Sequence, residues 1–159
     1  SIPWPAYHLL YPDFSKYIGL HHPAEEVPPP IATMIASRGC PHRCSFCSSG
    51  HSPYRFRSPK DIVAEVEFYQ NKFQAKSIHF YDDEFIGLSP RQNEWIKEIC
   101  DEIIRKNLHK TLAFLVLGRC SQFIELATLK KMREANFVWI WWGVESGSQK
   151  VLNIIKKEE

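Results

Sequence analysis

Apolar residues along the chain fall into short continuous runs that alternate with helix-like repeats. The run at residues 31–36 (IATMIA) predicts a buried strand, and residues 77–85 (SIHFYDDEF) predict a second strand that ends in acidic residues. Residues 111–119 (TLAFLVLGR) predict a third strand, which is too uniformly apolar for one of its faces to meet water. A fourth strand is predicted at residues 138–147 (VWIWWGVESG).

Helical repeats fill the intervals between these strands. Ser58 and Pro59 are typical of an N-cap and a first helical residue. The helix that they begin carries one apolar face, made of Ile62, Val63, Val66, Tyr69 and Phe73. Residues 89–92 (SPRQ) predict a capping box with proline at the first helical position. The inner side of that second helix is made of Trp95, Ile96, Ile99, Ile103 and Ile104. Residues 122–137 predict a third helix that stops at Asn136, and residues 148–157 begin a fourth.

This order, βαβαβαβα, predicts an α/β fold whose parallel strands are joined by right-handed crossovers. In such folds ligands bind at the carboxyl ends of the strands. Each predicted strand ends in polar or special residues: the cysteine loop, Asp82-Asp83-Glu84, Gly118-Arg119, and residues 143–146. We therefore expect these four strand ends to lie together at one edge of the sheet, which we call the rim.

The tryptophans of the fourth strand divide between its two faces. Trp139 and Trp141 project to one face and Trp142 to the other. Packing beneath helices is the role expected of them, and stacking on a flat substrate is the alternative. Elsewhere, Cys100 is expected in the core because it lies on the apolar face of a helix, and Cys120 is expected to pack rather than to bind a metal.

Composition narrows the class of protein. The chain has 159 residues and a formal net charge of +2, so no basic field indicates nucleic-acid binding. No apolar stretch is long enough to span a bilayer, and no secretory signal is visible. Residues 1–30 contain seven of the eleven prolines and are predicted to form a lead-in linker. The sequence begins at Ser1 without a methionine, which suggests a piece of a longer chain.

Three of the five cysteines, Cys40, Cys44 and Cys47, lie within one loop directly after the first strand. This clustering is typical of a metal or redox site rather than of a secreted disulfide framework, and it places the protein in a reducing cytoplasm. An iron–sulfur cube normally takes four cysteines, so three thiolates would leave one iron open to another ligand. A structural zinc site completed by His42 or His51 is the alternative, although zinc ligands usually come in two pairs.

The cysteine loop resembles the signature of the radical S-adenosylmethionine (SAM) enzymes. That signature is C-x3-C-x2-C with an aromatic residue, here Phe46, before the last cysteine. The resemblance implies a partial (β/α)6 barrel, of which this chain would supply about four units. Residues 31–159 would be the N-terminal part of the core, ending before its last strands. It also implies a [4Fe–4S] cluster on Cys40, Cys44 and Cys47 whose open iron chelates the amino and carboxylate groups of SAM.

Further blocks resemble the cobalamin-associated subclass of this family, to which methyltransferases and the anaerobic porphyrin-ring cyclase belong. These blocks are YRFRSPKDIVAEVEF, IHFYDDEF, LGRCS and GVESGSQKVLNIIKK. The resemblance implies reductive cleavage of SAM to methionine and a 5′-deoxyadenosyl radical, which takes a hydrogen atom from a small-molecule substrate. An electron donor such as flavodoxin or ferredoxin would be required. Cobalamin would be bound by a domain upstream of Ser1. A zinc-stabilised binding module without catalytic activity is the competing hypothesis.

The resemblance also implies residues that contact SAM. Residues Tyr81, Asp82, Asp83 and Glu84 occupy the position of the family's Gly-Gly-Glu motif, which receives the methionine amino group. This sequence lacks those glycines, so the resemblance does not single out one acid; a solvated acidic turn is the alternative. Other cofactor-facing positions are matched by Arg119, by Glu145 with Ser146, and by Lys157, which would neutralise the methionine carboxylate.

Overall fold

The computed structural model describes residues 4–9, 24–50 and 52–157. Its strands are β1 (Ile31–Met34), β2 (Ser37–Arg38), β3 (Arg55–Phe56), β4 (Ser77–Phe80), β5 (Ala113–Arg119) and β6 (Phe137–Gly143). Its helices are α1 (Pro59–Phe73), α2 (Pro90–Arg105), α3 (Leu126–Glu134) and α4 (Gln149–Ile154). No helix in this part of the chain has the length and apolar character needed to cross a bilayer.

Four parallel strands form the main sheet in the order β1-β4-β5-β6. This arrangement confirms the predicted α/β fold with parallel βα repeats, and the four strands lie side by side in chain order. Strand β1 is shorter than the predicted apolar run, because the chain leaves the sheet after Met34 and enters the small antiparallel pair β2–β3. Strand β4 likewise ends at Phe80, so the acidic residues that follow it lie in the connecting loop.

The two predicted helix starts are confirmed. The Ser58 side chain accepts a hydrogen bond from the Asp61 backbone N–H, and Ser89 does the same for Gln92, with proline at the start of each helix. The return bond at the second cap is shifted by one position, because the Gln92 side chain accepts from Leu88 N–H at 2.7 Å. The side-chain amide nitrogen of Gln92 is thereby free to donate elsewhere, which matters for the site.

Helix α3 is shorter than predicted at both ends, covering nine residues. Its first turn begins only after Glu125, since residues 121–124 form a turn in which Ile124 N–H bonds to the Ser121 carbonyl. Asn136 adopts the left-handed conformation expected of a helix stop, with φ of 66°. Strand β6 then begins at the very next residue.

The core lies between the sheet and helices α1, α2 and α3. Stacked aromatic rings run across the sheet, with ring centroids 6.1 Å apart for Phe80 and Phe114 and 5.1 Å apart for Phe114 and Phe137. Cys100 is fully buried here, as predicted. Close packing of this kind fixes the strand ends that carry the polar residues.

Trp139 and Trp141 lie on the opposite face of the sheet, away from the helices. They pair in register with Leu115 and Leu117, which alternate with the core-facing residues of β5. The Trp141 ring lies 4.9 Å from the His79 ring and is about one-third exposed. The prediction that these tryptophans pack beneath helices is therefore wrong, because a strand's side chains alternate and the helices occupy only one face.

Part of the proline-rich lead-in packs against helix α1. The Tyr7 ring lies within 5.7 Å of the Phe68 ring and 5.2 Å of the Tyr69 ring. Its hydroxyl donates to a Glu65 carboxylate oxygen at 2.7 Å. A short 3-10 turn covers Tyr7–Leu9. Residues 10–23, which the linker prediction also covers, lie outside the described residues.

Candidate functional site

The cysteine loop runs from β2 to β3, and its two ends are tied together. Cys40 receives a hydrogen bond at its carbonyl from Ser52 N–H at 3.0 Å, and its own N–H donates to the Ser52 hydroxyl at 3.1 Å. Within the loop, Cys47 N–H donates to the Cys44 carbonyl at 3.1 Å. The far side of the loop is attached to the end of α4 through Ser45 N–H and the Ile155 carbonyl, 2.9 Å apart.

All five cysteines are free thiols. Cys40 and Cys44 are half-buried and Cys47 is exposed. Phe46, which precedes Cys47, is also exposed, at 58%. Burial, with smaller contributions from Glu84 and Cys47, raises the pKa of Cys40 to about 11, although a hydrogen bond from the His42 backbone opposes the shift. A metal that binds Cys40 must therefore displace its proton, as metal–thiolate bonding ordinarily does.

Asp82 is the acid that joins the end of β4 to the start of the cysteine loop. Its carboxylate is buried and accepts hydrogen bonds from the backbone N–H groups of Ala36 and Ser37 and from the Ser37 hydroxyl. Tyr54 extends this network from the other end of the loop. Its hydroxyl lies 2.7 Å from the Ser37 hydroxyl, donates to the Glu84 carbonyl at 2.6 Å and receives the Gln92 amide at 2.9 Å.

The two neighbouring acids face different environments. Asp83 is exposed, as is Tyr81, and both line a shallow cavity together with Arg38 and Arg55. Glu84, by contrast, is 4% exposed and lies against the cysteine loop. One of its carboxylate oxygens is 3.5 Å from the Cys40 sulfur and 3.3 Å from His42 Nε2.

Glu84 is also the acid with unused hydrogen-bonding capacity. Its second carboxylate oxygen is buried and accepts no hydrogen bond within the described residues. Burial raises the pKa of Glu84 to about 7, although Arg119 and Lys157 oppose that shift. A cationic ligand at this carboxylate would favour the ionised form.

Arg119 brings a buried cation to the same rim. It is 6% exposed, and its Nη1 lies 3.7 Å from the Cys44 sulfur. The backbone is fixed on both sides of β5, since Arg119 pairs with Gly143 and its N–H donates to the Ile86 carbonyl at 2.9 Å. Gly87 has φ of 109° and passes so close to the Arg119 carbonyl that a side chain there would clash.

The end of β6 adds an ion pair. Glu145 is partly exposed in a left-handed conformation, and its carboxylate lies 3.1 Å from the ammonium of Lys157, which is 6% exposed. A Cβ at Gly143 would lie 2.9 Å from the Lys157 nitrogen, so the lack of a side chain at Gly143 leaves room for the Lys157 ammonium. Ser146 is half-buried beside Glu145, and its hydroxyl accepts from Ser148 N–H at 3.1 Å.

The structure thus brings most of the predicted site residues to the carboxyl end of the sheet. Direct contacts join Cys40 to Glu84, Cys44 to Arg119, and Glu145 to Lys157. Ser37, Tyr54 and Gln92 were not predicted as parts of the site, and His42 was considered only as a ligand of the alternative zinc site. His42 lies within the cysteine motif itself, but no sequence signal marks the other three, since their role depends on where the loop ends meet.

Asp82 makes a testable contribution to stability. Burial raises its pKa to about 6, while hydrogen bonds from Ser37 and Ala36 oppose the shift. A native carboxyl with a raised pKa holds its proton more tightly than the unfolded chain does, so stability falls as the pH rises from about 4 to about 6. For the metal-free protein, this decrease in the free energy of unfolding should be on the order of 3 kcal/mol.

We expect Asp82→Asn to remove this contribution from the decrease measured by urea unfolding between pH 4 and pH 6. A shallower decrease should remain, because burial also raises the pKa of Glu84 to about 7. Asp83→Asn is the matched control, because Asp83 is exposed and should leave the slope unchanged. Equal slopes for the wild-type protein and the Asp82 variant would contradict the assignment.

Comparison with known protein families decides the identity of this site. The model of the radical SAM superfamily matches residues 34–159, well over half of the chain. The chain belongs to the radical SAM superfamily. The match begins at the end of β1 and includes the cysteine loop and all the rim residues. Membership of this family implies a [4Fe–4S] cluster and SAM as cofactors, and it disfavours the zinc-module alternative.

Individual relatives agree with this assignment. The chain is 28% identical to an uncharacterized methyltransferase of Pyrococcus horikoshii, over 99% of this chain and 31% of the relative. It is 31% identical to the anaerobic magnesium-protoporphyrin IX monomethyl ester cyclase of Cereibacter sphaeroides, over 80% of this chain and 21% of the relative. The chain therefore spans less than a third of the length of these relatives.

Among solved structures, the radical SAM chain resembles the cobalamin-dependent radical SAM enzyme OxsB with a TM-score of 0.65. The identity is 25%, over 80% of this chain and 20% of that one. This likeness supports the predicted partial barrel.

The residues of the rim fit such a cluster. Cys47 is close enough to Cys40 to raise the pKa of the Cys40 thiol, and the buried guanidinium of Arg119 faces Cys44. Two of its nitrogens, Nε and Nη2, are buried without an acceptor among the described residues. An anionic cluster beside them would supply negative charge where the described residues supply no acceptor in hydrogen-bonding contact.

Proposed function

We propose that the full protein is a radical SAM enzyme that uses this rim to bind a [4Fe–4S] cluster and SAM. The observation that carries the proposal is the position of the three-cysteine loop, which follows β1 and lies against buried groups of both charges. When bound, the cluster would supply the electron that cleaves SAM to methionine and a 5′-deoxyadenosyl radical. The residues of this chain hold, orient and neutralise the two cofactors.

Cys40, Cys44 and Cys47 would hold the cluster as thiolates. Three thiolates leave one iron without a protein ligand, which is where the amino and carboxylate groups of SAM would bind. His42 and Glu84 border Cys40 closely enough that their ligand atoms and its sulfur all lie within 4.8 Å of one another. This group could also take a zinc ion, and the experiment below must therefore distinguish zinc from iron.

Glu84 is the acid best suited to the methionine ammonium. It is buried, it faces the cysteine loop, and one of its oxygens has no donor among the described residues. Asp83 and Tyr81 are exposed and could contact more distant parts of SAM. Asp82 has its carboxylate engaged by Ala36 and Ser37, so we assign it the support of the cysteine loop rather than direct contact.

Lys157 and Glu145 would complete the cofactor site. The Lys157 ammonium is buried and would neutralise the SAM carboxylate, and the exposed edge of Glu145 could accept from the ribose hydroxyls. Ser146 stands beside Glu145 with a hydroxyl that could add a hydrogen bond. Phe46, largely exposed at the tip of the loop, would pack against the bound cofactors.

We propose the class of reaction of the whole protein from the reactions that the names of its relatives give. Similarity to a methyltransferase and to a porphyrin-ring cyclase, and to a cobalamin-dependent enzyme of known structure, supports methyl transfer or ring cyclisation with cobalamin bound by another part of the protein. The substrate would be a small molecule. A low-potential donor such as flavodoxin or ferredoxin would reduce the cluster, and the unpaired thiols suit a reducing cytoplasm.

The deciding experiment is anaerobic reconstitution of the full-length protein with iron and sulfide. We expect a brown protein containing both elements, and formation of 5′-deoxyadenosine from SAM after reduction with dithionite. A colourless protein that holds one zinc ion and leaves SAM intact would overturn the proposal in favour of the zinc module.

A further inference from the structure

Arg119 is a buried cation whose hydrogen bonds are incomplete. Only 6% of the residue is exposed, and Nε and Nη2 lack an acceptor among the described residues. A buried guanidinium normally has a carboxylate partner, because removing an unpaired charge from water is costly. Glu84 is close enough for the charge of Arg119 to lower its pKa, yet no hydrogen bond joins the two side chains.

The Arg119 side chain contacts a cysteine sulfur. Its Nη1 lies 3.7 Å from the Cys44 sulfur, within range of a hydrogen bond to sulfur. The backbone that carries this side chain is fixed, since it is bonded to Ile86 and paired with Gly143. The side chain itself is buried, so packing restricts the positions that the guanidinium can take.

We propose that Arg119 acts through Cys44 to raise the reduction potential of the cluster. This inference rests on the proposed function above. Reduction adds one electron to a cluster that three thiolates already make anionic. A positive charge and an N–H donor beside a ligand sulfur stabilise the more negative, reduced form, because hydrogen bonds to the sulfurs and local net charge set iron–sulfur potentials. Burial strengthens the effect by lowering the local dielectric constant.

Lys157 cannot fill this role to the same extent. It is equally buried, but its ammonium lies 3.1 Å from the Glu145 carboxylate, which offsets its charge. Among the described rim residues, Arg119 therefore stands out as the buried cation with no carboxylate in hydrogen-bonding contact.

The test is a redox titration of the cluster, followed by electron paramagnetic resonance, in the reconstituted full-length protein without SAM. Omitting SAM removes any contribution from cofactor contacts. We expect the midpoint potential to fall in Arg119→Met, which removes both charge and donors. Arg119→Lys keeps the charge and should give an intermediate value. Arg105→Met is the matched control, because Arg105 is exposed at the end of α2 and pairs with Glu102. The midpoint potential of the cluster in this variant should equal that of the wild type.

Iron content is measured on every variant, so that a change in potential is not confused with a loss of cluster. A wild-type potential in Arg119→Met would overturn the inference, and so would loss of the cluster from both Arg119 variants, since a residue that acts on potential should leave three-cysteine binding intact. If the wild-type protein itself holds no cluster, the proposed function fails instead. The two failures are therefore distinguishable.

Discussion

Replacement of Cys44 by alanine in the full-length protein should abolish reductive cleavage of SAM. Cys44 would bind one iron of the cluster and is the cysteine that Arg119 contacts. A cube held by only two thiolates would leave two irons without a protein thiolate, and the Glu84 carboxylate lies beside Cys40. We expect the same loss for Cys40→Ala and Cys47→Ala, measured as 5′-deoxyadenosine formed after reduction.

Cys100→Ala is the control for cysteine chemistry away from the site. Cys100 is fully buried on α2, and burial raises its pKa to about 12, so it is an unreactive core residue. This variant should retain its iron content and most of its cleavage activity. Product formation by the Cys44 variant at the wild-type level would rule out the mechanism.

Periodicity predicted the elements of the fold well, because helix and strand patterns depend on local spacing. Ser58 and Ser89 mark real helix starts, and the left-handed Asn136 ends α3 as expected. The parallel direction of the main-sheet strands also follows from the alternation of strands and helices. Chain topology alone then brings the four strand ends together.

Features that depend on contacts between distant residues could not be predicted. The β2–β3 pair joins residues on either side of the cysteine loop, and neither strand is longer than two residues. Tyr54 and Gln92 meet over the Glu84 carbonyl although they are 38 positions apart. Strand alternation placed Trp139 and Trp141 on a common face, but periodicity does not state which face the helices cover.

The partners of the three neighbouring acids could not be predicted from the sequence either. Their spacing places Asp82, Asp83 and Glu84 at one strand end, yet only the folded loop decides which carboxylate faces which partner. Asp82 turns to the backbone of the cysteine loop, Asp83 to solvent, and Glu84 to Cys40. One short acidic segment thus provides a structural acid, an exposed acid and an acid at the cofactor.

Because Glu84 is the acid that we assign to the cofactor, its charge should contribute strongly to the affinity for SAM. Glu84→Gln keeps the shape of the side chain but removes the charge that we propose for the methionine ammonium. Loss of a charge-assisted hydrogen bond of about 1.5–3 kcal/mol should weaken SAM binding roughly 10- to 150-fold. The affinity is measured by equilibrium binding of SAM to the oxidised, reconstituted full-length protein, so that turnover does not contribute.

Asp83→Asn is the isosteric control for the same type of change. Asp83 lies one residue away but is exposed, and water screens an exposed charge, so its loss should alter SAM affinity several-fold at most. Iron content should match the wild type in both variants, because neither acid is assigned to the cluster. Equal affinities for the Glu84 variant and the wild type, or a larger loss in the Asp83 variant, would show that the ammonium is bound elsewhere. Asp83 would then be the acid that faces the cofactor, and the shallow cavity that it lines with Tyr81, Arg38 and Arg55 would be part of the SAM site.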